Sequence, residues 1–194
     1  MEPKSTFSKK KLLKGQSINL KKSSYEHAKD LYQQIKSPGV LENLTITIED
    51  QNDFQKYLLY IENQWSLNHD FTYSICRKNG KISKEIYIGQ VSIYNLSFLH
   101  SRAEIGIWIG REYWNKGIAK EALELLISHA FTDIHLNRLQ SHIFTQNLSS
   151  IKLFEKIGFK KEGLNEQYVR KGNGKFNDVF VYALLIENWK KRKK

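Results

Sequence analysis

Residues 104 to 126, EIGIWIGREYWNKGIAKEALELL, contain the side chains and the glycine whose order implies chemistry. Glu104 to Ile109 alternates between outward and inward positions and is rich in β-branched and aromatic residues, which predicts a strand. From Gly117 onward Ala119, Ala122, Leu123, Leu126, Ile127 and Ala130 recur at helical spacing, with Glu121 and Glu124 on the other side. The period changes inside REYWNKG. A small residue at that change lets the N–H groups of a helix start approach an anion, and the helix dipole favours the negative charge. The layout implies phosphate or pyrophosphate binding; taken alone, Gly117 and Ala119 also fit an ordinary strand-to-helix turn. The chain has no GxxxxGKS/T and no GxGxxG after the strand, which excludes a P-loop and a dinucleotide fingerprint.

Other elements must hold this turn in place. Phe71 to Arg77 and Ile86 to Tyr94 read as strands around Lys78-Asn79-Gly80-Lys81, a hairpin turn of the Asn-Gly kind. Asn95 to Ser101 then returns the chain into the strand beginning near Arg102. After the helix from Gly117 to about Thr132, Leu139 to Phe144 is a strand, and Asn147-Leu148-Ser149-Ser150 opens a helix that Gly158 ends. Phe159 to Glu162, Glu166 to Val169 and Asp178 to Leu185 are the last strands, with Lys171-Gly172-Asn173-Gly174 turning the final pair. Upstream, Ser17 to Lys21 is a short strand, and Ser23 or Ser24 caps a helix reaching Lys36 before Ser37-Pro38-Gly39. A second helix starts after Asp50 or Asn52, with Phe54, Tyr57 and Trp65 on one face, a stripe that at helical spacing reads as core. The prediction is an α/β (α+β) fold: a mixed, mostly antiparallel sheet with helices on both faces, one domain over 16–189.

Composition narrows the function. Of the formal charge of +11, residues 1–24 hold seven Lys against one Glu and residues 190–194 hold five Lys or Arg, leaving nineteen basic and nineteen acidic residues between them. A neutral body with basic ends argues against a basic groove. The ends, 1–15 and 190–194, read as flexible tails suited at most to weak contact with RNA or the ribosome. No apolar run suits a membrane span or a secretory leader, so a cytoplasmic protein, monomer or homodimer, is expected. The single Cys76 excludes an internal disulfide, and no HxxxH pairing suggests a metal.

Trp114-Asn115-Lys116-Gly117-Ile118-Ala119 resembles the pyrophosphate loop of the GNAT acetyltransferase superfamily, Q/R-x-x-G-x-G/A, with Trp114 in place of Gln or Arg. The Trp-x-x-Gly-x-Ala form before Glu-Ala resembles the branch that acetylates ribosomal-protein N-termini, the Rim type. Asn147-x-x-Ser150, Leu153-Phe154-Glu155-Lys156-Ile157-Gly158-Phe159 and Glu162-Gly163 resemble a second GNAT block, so the resemblance runs from about Ser17 to Leu185. It implies the GNAT fold, with acetyl-CoA as co-substrate and a primary amine as acceptor. It also places the pyrophosphate at residues 114 to 119 and the pantetheine amides on the main chain of Ile107, Trp108 and Ile109.

Acetyl transfer needs a free amine lone pair and a proton for the departing thiolate. The resemblance implies Glu104 as general base acting through water; the alternative is a surface carboxylate paired with Arg102 or Lys116. Many relatives carry Tyr where Phe154 stands, so Ser150 is expected to orient or protonate the thiolate unless it only caps a helix, with Tyr168 and Tyr182 as substitutes. Asn147 contacts the cofactor arm, caps the helix, or does both. At neutral pH an α-amine (pKa ~8) offers its neutral form hundreds of times more often than lysine (~10.4), which suits a single water-relayed carboxylate and favours a protein N-terminus. A polyamine such as spermidine is the alternative acceptor, and a non-catalytic acyl-CoA-binding or ribosome-associated module the alternative class.

Overall fold

In the computed structural model, which describes residues 7–77, 85–172 and 174–192, the described strands form one sheet. They are β1 (Leu12–Lys14), β2 (Ile18–Lys22), β3 (Phe71–Arg77), β4 (Ile86–Ser97), β5 (Arg102–Ile109), β6 (Arg138–Phe144), β7 (Lys160–Arg170) and β8 (Phe176–Leu185). Their order is β1-β2-β3-β4-β5-β6-β8-β7, and the β5–β6 pair is parallel while the others are antiparallel. The helices are α1 (Ala28–Ile35), α2 (Gln51–Ser66), α3 (Ile118–Thr132), α4 (Leu148–Ile157) and α5 (Ile186–Arg192). This is the mixed, mostly antiparallel architecture expected from the sequence.

Alternation along the central strands sends side chains to both faces. Ile105, Ile107 and Ile109 join the apolar cluster that holds Ala122, Leu123, Leu126 and Ile127 of α3, whereas Trp108 packs against the cluster of α1 and α2 around Leu31, Ile35, Phe54 and Leu58. Burying each such side chain stabilises the fold by about 1.5–3 kcal/mol. Phe54 and Trp65 are core residues, so the aromatic stripe of α2 is largely packing. Asp50 caps α2 through its carboxylate, and Ser24 caps a short 3-10 turn, Tyr25–His27, that precedes α1.

The ends depart from the sequence expectation. Chain pairing starts at Leu12, before Gln16, and Leu13 is buried. Phe7 packs on Phe71 and Phe98, Ser8 donates its N–H to the Asp133 carbonyl, and Lys10 pairs with the Asp133 carboxylate at 2.8 Å. Lys9 donates to Asn68 and to the Trp65 carbonyl. Two lysines of the expected flexible tail therefore hold the segment onto the sheet and α3. A polar stretch reads as a tail when its apolar anchors are spaced too widely to show a period. At the other end α5 extends to Arg192, whose guanidinium donates to the Lys156 carbonyl at 2.9 Å. The two short strands expected over 159–169 are one bulged strand, β7, and the 78–81 turn lies outside the described residues.

One feature of the sheet creates the site. The β5–β6 ladder runs only from Arg102↔Arg138 to Glu104↔Gln140, although β5 continues to Ile109 and β6 to Phe144. Beyond Glu104 the facing edges carry no ladder, while β4 and β8 pair the outer edges. The parted edges leave main-chain donors and acceptors for something other than a strand.

Candidate active site

A groove of about 530 Å³ opens where β5 and β6 part, bounded by Gly106–Ile109, Tyr113–Lys120, Ser141–Phe144, the start of α4 and the loop after α1. At one end lies the turn into α3. Gly117 is its N-cap with φ +78, a left-handed conformation that glycine adopts without strain, and it offers no side-chain cap to the first amides of the helix. A Cβ built there meets nothing within 4 Å, so the space before these N–H groups is open. Asn115 is also left-handed, at φ 60, and Lys116 extends its ammonium over the Tyr113 ring. Ile118 is buried as the first helical residue, with Ala119 behind it. This end presents backbone donors and a dipole to an anion.

Trp114 lines the groove, but its indole N–H donates to the Ile109 carbonyl at 2.9 Å and its ring packs on Gly39. The tryptophan locks the turn to the end of β5, so a side chain that would reach an anion in the Gln or Arg form here serves geometry. Trp108 behaves differently. Its Nε1 is buried with no hydrogen-bond partner among the described residues, and the residue lines the groove. Unpaired buried donors are costly, and this one fits a polar ligand.

Asn147 Oδ1 accepts from the Ser150 N–H at 3.1 Å, so the capping role is real, and both residues also line the groove. The cap uses the Ser150 backbone N–H, not its hydroxyl. Phe154 forms the floor, 1% exposed and edge-to-face on Phe159. Tyr182 is absent from the groove wall. Its hydroxyl donates to Glu155 at 2.8 Å, and burial, then Glu155, pushes it up to about 12.

Glu104 sits at the other end with partners the sequence did not suggest. Its Oε2 meets His142 Nδ1 at 3.0 Å and its Oε1 accepts from Asn95 Nδ2 at 2.9 Å; neither Arg102 nor Lys116 pairs with it. Tyr94 adds a hydroxyl. Burial opposes ionisation of Glu104, but the hydrogen bonds from His142 and Asn95 and the nearby imidazole outweigh it and hold the carboxyl below its ordinary value. Asn95 reaches this position from a bulge in the β4–β5 ladder, in a left-handed conformation at φ 51. The Tyr168 ring stacks on His142, centroids 4.9 Å apart, and burial pushes the Tyr94 phenol up.

Lys171 stands farther along β6, beside Phe144. Its ammonium donates to the carbonyls of Leu41 and Leu44 and lies 4.4 Å from the Phe144 ring, joining the β7–β8 turn to the loop after α1; burial pushes it down, with Glu42 opposing. Tyr94, Asn95, His142 and Lys171 are the site residues that sequence reasoning missed. Alternation along β6 places His142 and Phe144 on the face of Glu104 once the Glu104↔Gln140 register is known. Among the described residues no three His, Cys, Asp or Glu stand together as a metal site, and no helix is long and apolar enough to cross a membrane.

Known proteins resemble this chain in sequence and in fold. A family described as an acetyltransferase (GNAT) domain matches residues 18–160. A Bacillus subtilis protein named "Putative ribosomal N-acetyltransferase YdaF" is 32% identical over 161 residues, 76% of this chain and 86% of that one. A spermidine N(1)-acetyltransferase of Vibrio cholerae is 31% identical over 106 residues, 54% of this chain and 60% of that one. A solved structure of RimL, a ribosomal L7/L12 α-N-protein acetyltransferase, superposes with TM-score 0.81 at 19% identity over 93% of this chain and 99% of that one, a likeness of fold.

Proposed function

The chain belongs to the acetyltransferase (GNAT) domain family, and from that premise we propose that it moves the acetyl group of acetyl-CoA to the α-amine of a polypeptide, a ribosomal protein being the model acceptor. Acetyl-CoA supplies an activated thioester. The first-turn amides of α3 around Gly117 hold its pyrophosphate, and the unpaired edge of β5 at Ile107, Trp108 and Ile109 meets its amide-bearing arm. Ser150, with a hydroxyl on the groove wall, protonates or orients the departing sulfur in place of the missing tyrosine at Phe154. Glu104 and His142 provide the path by which the acceptor ammonium loses its proton.

The observation that carries the choice of acceptor is Lys171. Its fixed ammonium stands beside Phe144, a groove-lining residue on the strand face shared with His142, and occupies the carbonyls of Leu41 and Leu44, of which Leu44 also lines the groove. A polyamine brings several positive charges toward that ammonium, whereas a peptide N-terminus brings one. The relatives named above include both a ribosomal-type and a spermidine enzyme. Turnover with acetyl-CoA, measured side by side on short N-terminal peptides and on spermidine, tests the choice. A higher kcat/KM on peptides is expected, and a clear preference for spermidine would reverse it.

A further inference from the structure

We propose that His142 is the catalytic residue that takes the proton from the acceptor ammonium, and that Glu104 is a positioning residue behind it. The inference deepens the proposed acetyl transfer and rests on it. It changes the role that sequence position alone gives to Glu104.

The argument starts with lone pairs. An ionised carboxylate accepts only. Both oxygens of Glu104 are engaged, Oε1 with Asn95 and Oε2 with His142, and Tyr94 adds a third donor. A carboxylate held below its ordinary value by such donors is a weakened base and a strong fixed acceptor. With Glu104 ionised, the 3.0 Å contact makes Nδ1 the protonated nitrogen of a neutral ring and leaves the Nε2 lone pair to accept a proton, while three donors already take most of the acceptor capacity of Glu104. His142 lines the groove, whereas Glu104 does not.

Three further contacts fix the ring. Tyr168 from β7 stacks on it at an interplanar angle of 19°, Glu104 from β5 holds Nδ1, and the strand ladder with β8 at His142↔Val181 fixes its backbone. His142 is 11% exposed and Glu104 16%, so water reaches the pair only at its edge. The titratable groups facing the ring are Glu104 and Tyr168, with Tyr94 reaching it through Glu104. An imidazole oriented by a carboxylate on one nitrogen and open on the other has the geometry of a general base.

Proton and electron balance follows. The acceptor ammonium gives one proton to Nε2. The freed lone pair forms the C–N bond to the thioester carbonyl carbon, and the C–S bond breaks with its electrons on sulfur. The second nitrogen proton goes to the thiolate, with Ser150 at hand to relay it, and the imidazolium returns its proton to solvent. The net change is one acetyl moved, one thiol formed and one proton released.

Two variants and one spectrum test this. His142→Gln should slow kcat on an N-terminal peptide roughly 10²- to 10⁴-fold, with the affinity for acetyl-CoA unchanged. His142→Ala should regain rate as free imidazole is added, a response that a purely structural role would not give. Glu104→Gln should lose less rate than His142→Gln. Independently of turnover, the ¹⁵N shifts of the His142 ring should show Nδ1 protonated at neutral pH in the wild type and lose that preference in Glu104→Gln. A folded His142→Gln within threefold of wild type, or a wild-type ring protonated on Nε2 instead, overturns the assignment and returns Glu104 to the role of base. A wild type that acetylates neither peptide nor spermidine while its ring shows the Nδ1 preference sinks the proposed function and leaves the pair standing as structure.

Discussion

The two ends of the groove are made of different material. The end proposed to hold the anion is backbone: the amides of a helix start, a left-handed glycine and a strand edge, all between residues 106 and 120. The end proposed for the amine is side chains: Tyr94 and Asn95 from β4, Glu104 from β5, His142 from β6 and Tyr168 from β7, with Lys171 farther along β6 beside Phe144. A backbone site serves any chain that keeps the turn, and it recognises a ligand that never changes. A side-chain site is assembled by register across four strands, so it can be re-specified one residue at a time. Acetyl transfer needs both, because the donor is constant and the acceptor defines the enzyme.

The comparison breaks most visibly at Gly117. Gly117→Val places a branched side chain in the open space before the α3 amides, where no neighbouring atom lies within 4 Å of the new Cβ. The left-handed backbone there strains any L side chain by about 1–2 kcal/mol, which the fold survives. Losing two charge-assisted hydrogen bonds of about 1.5–3 kcal/mol each weakens acetyl-CoA binding by roughly 10²- to 10⁴-fold. Calorimetric titration of the folded variant measures this, and an unchanged Kd would move the pyrophosphate elsewhere. Ser150→Ala comes next: a slowing of about 10²-fold in kcat with unchanged cofactor affinity, against less than about threefold for Tyr182→Phe, whose hydroxyl is occupied by Glu155. Equal losses in both would return the tyrosine to the mechanism.

A smaller effect belongs to the side chains that support His142, where contacts are shared. Tyr168→Ala removes the stacking face of His142. An aromatic contact worth about 0.5–1.5 kcal/mol predicts a loss of roughly two- to tenfold in kcat/KM for the acceptor, with the acetyl-CoA Kd untouched. If the cofactor affinity fell instead, the division of the groove into two ends would be wrong.

Legibility followed the same division. The turn at Gly117 was readable because its signals are local: a period of two, a glycine, then a period near four. Asp50, Asn147 and Gly158 were readable for the same reason, since a cap is a contact between near neighbours. His142 was not. Its partner Glu104 lies 38 residues away, across a helix, and the contact exists only because two parallel strands stop pairing at Glu104↔Gln140. Lys171 and Leu44 are 127 residues apart, and nothing near either signals the other. The N-terminal segment misled for a further reason: Lys9 and Lys10 look like solvated charge until Asn68 and Asp133 are folded against them. Trp114 shows the reverse case, a motif position filled by a side chain that supports the turn through Ile109 instead of reaching into the groove.

The smallest effect sharpens the comparison most, because it is read without substrate. Glu104 titrates below its ordinary value in the folded chain, while the unfolded chain protonates it near ~4.3. Between those two values the unfolded state binds more protons, so stability rises with pH. The contribution is complete above the unfolded value and is lost as pH falls through the folded one. Glu85, Glu121, Asp133 and Glu162 are shifted in the same direction, so the wild-type Tm falls in acid for several reasons at once. The difference between wild type and Glu104→Gln isolates one of them. That difference in Tm should shrink through the acid range as the wild-type carboxylate is protonated and loses its donors. The corresponding difference for Gly117→Val should stay flat across the whole range, since the anion end is backbone and carries no titrating partner of its own. Parallel curves for all three proteins would mean that His142, Asn95 and Tyr94 do not stabilise the Glu104 charge, and the amine end would lose the feature that sets it apart from the anion end.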